Sequence, residues 1–314
     1  MQSFSVIRYR VSFQVITAIC FTDYAGSALR GALGHALKNI ACLTAARNRG
    51  VCQCQPEQCI YRQLFDPAKK ILSNQRQQDI APPLIIEACH QPQHMATGEQ
   101  GYFDMVLIGH TAQSQLAIIQ LAWQRALHDG IGIKNSLGQR GNAQLLCIEV
   151  LNRPDTTPDN PGQLQLQLLN PLRLARQNKL VDTTQLDAEI LLKAMVRRYA
   201  LIHELHDAPI GLSYDQLKSD ISAVELNTQL VWQNWVRYSN RQKQEMTLGG
   251  LVGTIQISHL SDQLWHIVYL CQWLHVGKNT VFGLGHYQLC PVSSQPFEAQ
   301  STPASHYLAN TLSV

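Results

Sequence analysis

The sequence predicts an α+β fold built from two tandem ferredoxin-like modules. Alternating apolar residues indicate strands, and apolar residues spaced three and four apart indicate helices. Both halves of the chain place these segments in the order β-α-β-β-α-β, which is the ferredoxin-like order also used by RNA-recognition modules. The 314 residues, 45% hydrophobic and 15% charged, suffice for two ordinary globular domains. Two such modules are expected to form a central cleft between them.

The first predicted module covers residues 1–151 and carries an insert, residues 42–83. Ser27 is a suitable N-cap for its first helix. The predicted elements are, in order, a strand over 3–21, a helix over 28–42, strands over 84–88 and 102–108, a helix over 114–128 and a strand over 144–150.

A polar segment with three prolines, residues 152–162, is the predicted linker to the second module, residues 163–290. The residues after this module, 291–314, are polar and rich in Pro and Ser, so we expect a flexible tail. The elements predicted in the second module are a strand over 164–169, a helix over 184–206, strands over 229–238 and 250–257, a helix over 264–274 and a strand over 287–290.

Composition narrows the class of protein. The net charge is only +3, with 12 His, so any site for an anion must be a local patch. No run of about 20 apolar residues is present, and the N-terminus lacks the apolar core of a signal peptide, so we expect a cytoplasmic protein without a membrane segment. Nine Cys, an odd number, favour free thiols or metal ligands over a disulfide framework.

A glycine-rich segment, residues 277–287, lies between the last predicted helix and the last strand. Gly277, Gly283 and Gly285 would let the backbone approach a phosphate closely, and Lys278 adds a positive charge. Lys134 follows two glycines at the same place in the first module. Tight helix-to-strand turns are the structural alternative at both places. A cleft with glycine loops and scattered cations suits single-stranded or hairpin RNA better than a small molecule.

The strand predicted over 229–238 mixes aromatic rings with cations. Its rings could stack on unpaired bases while Arg237, Arg241 and Lys243 contact phosphates. A core strand with inward-facing Trp side chains is the alternative for Trp232 or Trp235.

Four cysteines occur close together in and beside the insert. Their spacing is C-x9-C-x-C-x4-C, and four thiolates can hold a tetrahedral structural zinc ion. Reduced thiols, some of them buried, are the alternative, and no His/Asp/Glu cluster accompanies them to suggest a catalytic metal. The residues concerned are Cys42, Cys52, Cys54 and Cys59.

Three segments carry a resemblance to a known family: Gly26-Ser-Ala-Leu-Arg-Gly-Ala-Leu-Gly-His-Ala-Leu37, Cys59-Ile-Tyr-Arg-Gln-Leu-Phe65 and Gly277-Lys-Asn-Thr-Val-Phe-Gly-Leu-Gly285. The chain resembles the CRISPR repeat-processing endoribonucleases of the RAMP superfamily. The resemblance implies tandem ferredoxin-like folds and metal-independent RNA cleavage, in which the 2′-hydroxyl attacks the adjacent phosphate. The products would be a 2′,3′-cyclic phosphate and a 5′-hydroxyl, and the protein would keep the 3′ hairpin of the crRNA.

The same resemblance assigns site residues and partners. His35 corresponds to the histidine that family members place on the first helix, with Tyr24, Lys38 and Arg30 as candidates for the supporting roles. No cofactor is implied for catalysis, and the implied partners are CRISPR repeat RNA and other subunits of a CRISPR effector complex. The alternatives are a non-catalytic RAMP-type subunit that binds crRNA, for which a histidine at position 35 serves no purpose, and a metal-dependent nuclease.

Overall fold

The computed structural model describes residues 5–22, 24–41, 59–65, 67, 70–71, 77–78, 81–88, 92–154, 156–208, 210–239 and 244–291. Cys42, Cys52, Cys54, Arg241 and Lys243 lie outside these residues, as does the predicted tail from residue 292 onward.

The first module is a four-stranded antiparallel sheet with two helices on one face. Its main elements are β1 (Val6–Val15), α1 (Gly26–Ala41), β2 (Leu84–Glu87), β3 (Gln100–Ile108), α2 (Leu116–Asp129) and β4 (Ala143–Asn152). The strand order across the sheet is β2-β3-β1-β4. Short elements are the helices Ile60–Phe65 and His110–Gln113 and the paired strands Ile19–Cys20 with His94–Met95 and Lys70–Ile71 with Gln77–Gln78.

The second module repeats this arrangement. Its main elements are β5 (Gln163–Leu168), α3 (Ala188–His206), β6 (Glu225–Ser239), β7 (Gln244–Ser258), α4 (Asp262–Leu274) and β8 (Tyr287–Cys290). The strand order is β6-β7-β5-β8, so both sheets run second, third, first, fourth, and the predicted tandem ferredoxin-like fold is confirmed. Additional elements are the strands Ala175–Arg176 and Lys179–Leu180, the helix Tyr214–Ser222 and the 3-10 helix Thr280–Phe282.

Several boundaries differ from the predictions. Helix α1 begins at Gly26, because the carbonyl of Ala25 accepts the first helical hydrogen bond, from the amide of Leu29 at 2.9 Å. Ser27 therefore lies in the first turn and is not the N-cap. Helix α3 begins at Ala188, later than predicted, because the Asp187 side chain caps it by accepting from the amide of Ile190.

The β6–β7 hairpin is longer than its sequence pattern predicts. Its two 15-residue strands pair from Glu225↔Ser258 to Ser239↔Gln244, whereas β5 pairs only with residues 254–258 of β7. The rest of the hairpin extends beyond the second sheet and reaches the first module, where Trp235 and Leu248 join its apolar core. The hairpin thus connects the two modules.

A second connection lies on the first sheet, on the face that its own helices leave uncovered. Val6, Ile85, Val106 and Ile108 point from this face into the core of the second module. The two modules therefore share buried apolar surface, which favours a fixed relative placement. Among the described residues, the helices are too short or too polar to span a membrane.

Candidate functional site

The N-terminal end of α1 meets both the glycine-rich loop and the β6–β7 hairpin. Tyr24, just before α1, is buried, and its hydroxyl donates a 2.5 Å hydrogen bond to the carbonyl oxygen of Phe282. Its ring stacks on Trp235 of β6, with the centroids 4.6 Å apart. Three segments that are distant in the sequence are therefore held together at one tyrosine.

The glycine-rich loop is a tightly packed turn. The Gly285 amide donates to the Pro171 carbonyl at 3.0 Å, and the Gly283 carbonyl accepts from the Asn170 side chain at 2.9 Å. A Cβ on Gly283 would lie 2.2 Å from the Tyr24 hydroxyl oxygen, so this glycine lets the loop lie against the first module. Gly277 and Lys278 are exposed on the outer part of the loop.

Replacing Gly285 with alanine should destabilise the protein by more than about 3 kcal/mol. Gly285 has φ +70°, and an added Cβ would lie 1.8 Å from the carbonyl oxygen of Val276. Gly138, with φ +76° and no atom within 4 Å of an added Cβ, is the matched control, and its alanine variant should lose only about 1–2 kcal/mol. Urea unfolding measures both losses, and equal losses would contradict the close packing at Gly285.

Arg30 lies on α1, beside the loop. Its guanidinium carbon is 4.6 Å from the ring centroid of Phe65 and 5.6 Å from that of Phe282, and its Nη2 donates to the Phe65 carbonyl at 3.3 Å. Aromatic faces attract such a cation and fix its position. The positive charge of Arg30 is thus held at the contact between α1 and the loop.

His35 and Lys38 lie together further along α1. His35 is exposed, while the neighbouring Gly34 is buried against the Phe65 ring. The Lys38 ammonium lies 5.9 Å from the ring centroid of Tyr61. At 1.5 Å per residue, His35 is about 14 Å along the helix from Gly26. The structure therefore places His35 beside Lys38, and Tyr24 and Arg30 beside the glycine-rich loop.

Of the other predicted RNA-binding cations outside the glycine-rich loop, Lys134 and Arg237 lie within the described residues. Lys134 is exposed, and Arg237 lies in β6. The two Trp residues differ, because Trp232 is 39% exposed whereas Trp235 packs on Tyr24. Cys59 is buried, and since the other three cysteines lie outside the described residues, zinc binding stays a prediction.

Sequence reasoning missed a buried polar cluster at the junction of the modules. Glu87, at the end of β2, accepts from Arg8 at 2.7 and 2.9 Å and contacts His275 Nε2 at 2.7 Å. His286 Nε2 is 3.6 Å from the same carboxylate. In the sequence, Glu87 is an acidic residue that ends an apolar strand, and His275 and His286 lie on either side of the glycines 277–285. These two features are the signals that could have revealed the cluster.

The groups around Glu87 favour its ionised form. Burial raises the pKa of Glu87, but His286, Arg8 and His275 together outweigh it and hold that pKa well below its usual range. Glu87, His275 and His286 could bring three metal-ligand atoms together. Arg8, however, already donates to both carboxylate oxygens, and a cation at this point would compete with it. The geometry is that of a hydrogen-bonded ion network joining the two modules.

The tandem ferredoxin-like fold, with a glycine-rich loop of the second module against the first helix, agrees with the RAMP-type class that the sequence resembles. Residues 4–166 match the family model AF_1859_N, described as an N-terminal domain, over more than half of the chain. Residues 166–287 match the family model of the CRISPR-associated endoribonuclease Cas6. The first match shows that the chain belongs to the AF_1859_N family, and the second identifies it as a Cas6-like CRISPR RNA-processing protein.

Solved structures show the same fold at low sequence identity. A Cas6 product complex is 12% identical with a TM-score of 0.53, and the match covers 90% of this chain and 99% of that one. Thermus thermophilus Cas6 is 10% identical with a TM-score of 0.52, covering 91% and 99%. A partial Cas6-RT-Cas1–Cas2 complex is 15% identical with a TM-score of 0.55, covering 95% of this chain and 48% of the other. No curated protein matches the sequence.

Proposed function

We propose that this protein cuts CRISPR precursor RNA within its repeats, without a catalytic metal, and keeps the 3′ hairpin of the crRNA. The observation that carries the proposal is the exposed His35 on α1, a helix whose N-terminal end contacts the glycine-rich loop of the Cas6-type second module. An imidazole in solvent reach on a fixed helix suits proton transfer near neutral pH.

In the proposed reaction, the RNA 2′-oxygen forms a bond to the adjacent phosphorus, and the bond from phosphorus to the 5′-oxygen breaks. The 2′-hydroxyl loses a proton and the leaving 5′-oxygen gains one, so the products are a 2′,3′-cyclic phosphate and a 5′-hydroxyl. His35 carries out one of these proton transfers. Lys38, one turn further along α1, stabilises the negative charge that develops on the phosphate.

Tyr24 and Arg30 have supporting roles in this proposal. The Tyr24 hydroxyl is engaged with the Phe282 carbonyl, which makes it a positioning residue for α1. Arg30, held between Phe65 and Phe282, supplies a second cation near the loop. Because the nucleophile belongs to the RNA itself, no metal-bound water is needed. Zinc on Cys42, Cys52, Cys54 and Cys59 would be structural.

RNA binding is assigned to cations on three separate parts of the chain. Lys278 and Gly277 lie exposed on the glycine-rich loop, and Lys134 is exposed in the first module. Arg237 lies in β6, and Arg241 and Lys243 follow in the sequence toward the turn of the hairpin. Contacts of this kind hold phosphates independently of base sequence. The similar Cas6 product complex and Cas6-RT-Cas1–Cas2 complex support crRNA and other CRISPR proteins as partners.

Purified protein incubated with repeat RNA in EDTA should yield one cut per repeat. A free 5′-hydroxyl on the downstream product, which a polynucleotide kinase can phosphorylate directly, is the expected end. The upstream product should resist ligation until its cyclic phosphate is removed. Cleavage that stops in EDTA and returns with Mg²⁺ would contradict metal independence. Tight binding without a cut in any buffer would instead favour the non-catalytic RAMP-type subunit.

A further inference from the structure

Trp232 is an exposed aromatic side chain on the part of the β6–β7 hairpin that extends beyond its own sheet. It is 39% exposed, and the adjacent Val231 is 55% exposed. Trp232 and Trp235 are three residues apart on one strand, so their side chains point to opposite faces. Trp235 stacks on Tyr24, so the partly exposed indole of Trp232 lies on the opposite face of the hairpin and takes no part in that contact.

The indole of Trp232 is held in a fixed orientation. Its Nε1 donates a 2.9 Å hydrogen bond to Oδ1 of Asn234 on the same strand. It also lies directly over Gly249 of β7, where an added Cβ would come within 2.6 Å of Nε1 and 2.7 Å of Cε2. A ring fixed in this way loses little conformational entropy when a flat group stacks on it.

The surroundings of Trp232 favour nucleic acid over an acidic protein surface. No acidic residue occurs in the sequence from Leu226 to Ser239 or from Met246 to Ser258. The acidic residues of the two strands, Glu225 and Glu245, pair with Ser258 and Tyr238, away from Trp232, so no carboxylate of the hairpin strands adjoins it. Leu251, the cross-strand partner of Trp232, pairs with Leu172, and the next residue, Arg173, accepts from the Lys278 amide. Neighbouring strands lie about 4.8 Å apart. Three such steps, from β6 to Leu251, then to the Leu172 segment and then to the Lys278 segment, place the backbone of Lys278 about 14 Å from β6.

We propose that Trp232 is a stacking platform for one unpaired base of the RNA that this protein binds. This inference rests on the proposed function. It adds a residue that stacks on the flat face of a base in single-stranded RNA. Aromatic rings of this kind bind bases without hydrogen-bond readout, so the platform accepts more than one base type. A single RNA strand that runs across this surface stacks one base on Trp232 and places a phosphate at Lys278.

The test is a binding titration with a fluorescein-labelled repeat RNA that carries 2′-deoxyribose at the cut position. The Trp232→Ala variant should bind about 5- to 150-fold more weakly than wild type, as expected for one lost base stack. The Trp232→Phe variant should keep most of the affinity. The matched control is Val231→Ala, which removes a neighbouring exposed apolar side chain without a ring and should leave the affinity within twofold.

Abasic substitutions along the same RNA locate the stacked base. Wild type should lose affinity at one unpaired position by the same factor as Trp232→Ala, and the variant should lose nothing further there. A Trp232→Ala variant that binds within twofold of wild type, while wild type still cuts unmodified repeat RNA, would overturn the platform and leave the proposed function standing. Failure of wild type to bind or cut the repeat would overturn both.

Discussion

Replacing His35 with alanine is expected to lower the rate of repeat cleavage by about 10²–10⁴-fold, the usual cost of losing a general acid or base. The affinity for repeat RNA should stay within a few-fold of wild type, because His35 is one exposed side chain among several proposed RNA contacts. Single-turnover cleavage and a binding titration measure the two effects separately. Added imidazole should restore part of the rate, since it can enter the space that the side chain leaves and transfer the proton.

The control for this prediction is Asn39→Ala, an exposed position one turn further along α1. It changes the helix surface by a similar amount and should leave the rate within a few-fold of wild type. A His35→Ala variant that cuts as fast as Asn39→Ala would remove His35 from the mechanism. A variant that is slow but unaffected by imidazole would indicate a positioning role for His35.

The second large effect is expected at the buried cluster. Glu87→Gln should lower the free energy of unfolding by about 3–5 kcal/mol, because it leaves the buried guanidinium of Arg8 without its counter-charge. The control is Glu149→Gln on the exposed strand β4, which should change stability by no more than about 0.5 kcal/mol. Urea unfolding at neutral pH measures both. Equal unfolding midpoints would show that the ion network contributes nothing.

The cluster also predicts how stability depends on pH. The pKa of Glu87 in the folded protein lies below its ordinary value of 4.5. Its contribution is therefore complete above that value and is lost as the pH falls below it. Wild type should lose stability on acidification below pH 4.5 more steeply than Glu87→Gln. If the free energies of unfolding of the two proteins fell in parallel as the pH is lowered, that result would contradict an ionised Glu87.

The element order of the fold could be predicted from the sequence because each strand and helix carries its own apolar period. The helix from Asp262 to Leu274 was predicted with boundaries close to those observed, whereas the first strand, predicted over 3–21, ends at Val15 and is followed by the short strand Ile19–Cys20. The extension of the β6–β7 hairpin could not be predicted, since its outer part contacts another module and lacks the pattern of a sheet packed on its own helices. Long-range packing, not local preference, determines its length.

The site was predictable only in part, for a similar reason. His35 and Lys38 share a helix, so their proximity follows from helical geometry. The contacts of Tyr24 with Phe282 and of Glu87 with His275 join residues 258 and 188 positions apart, and no local pattern reports such a pair. Gly285 was noted for backbone freedom near a phosphate, whereas its surroundings show a requirement for close packing against Val276.

The contact between Tyr24 and the glycine-rich loop has a consequence for the order in which a functional protein appears during synthesis. The ribosome releases the first module before Trp235 and Phe282, whose contacts with Tyr24 fix the start of α1. A nascent chain therefore carries His35 on a helix whose position is not yet set. Under the proposed function, competence to cut RNA would therefore depend on the second module folding back onto the first.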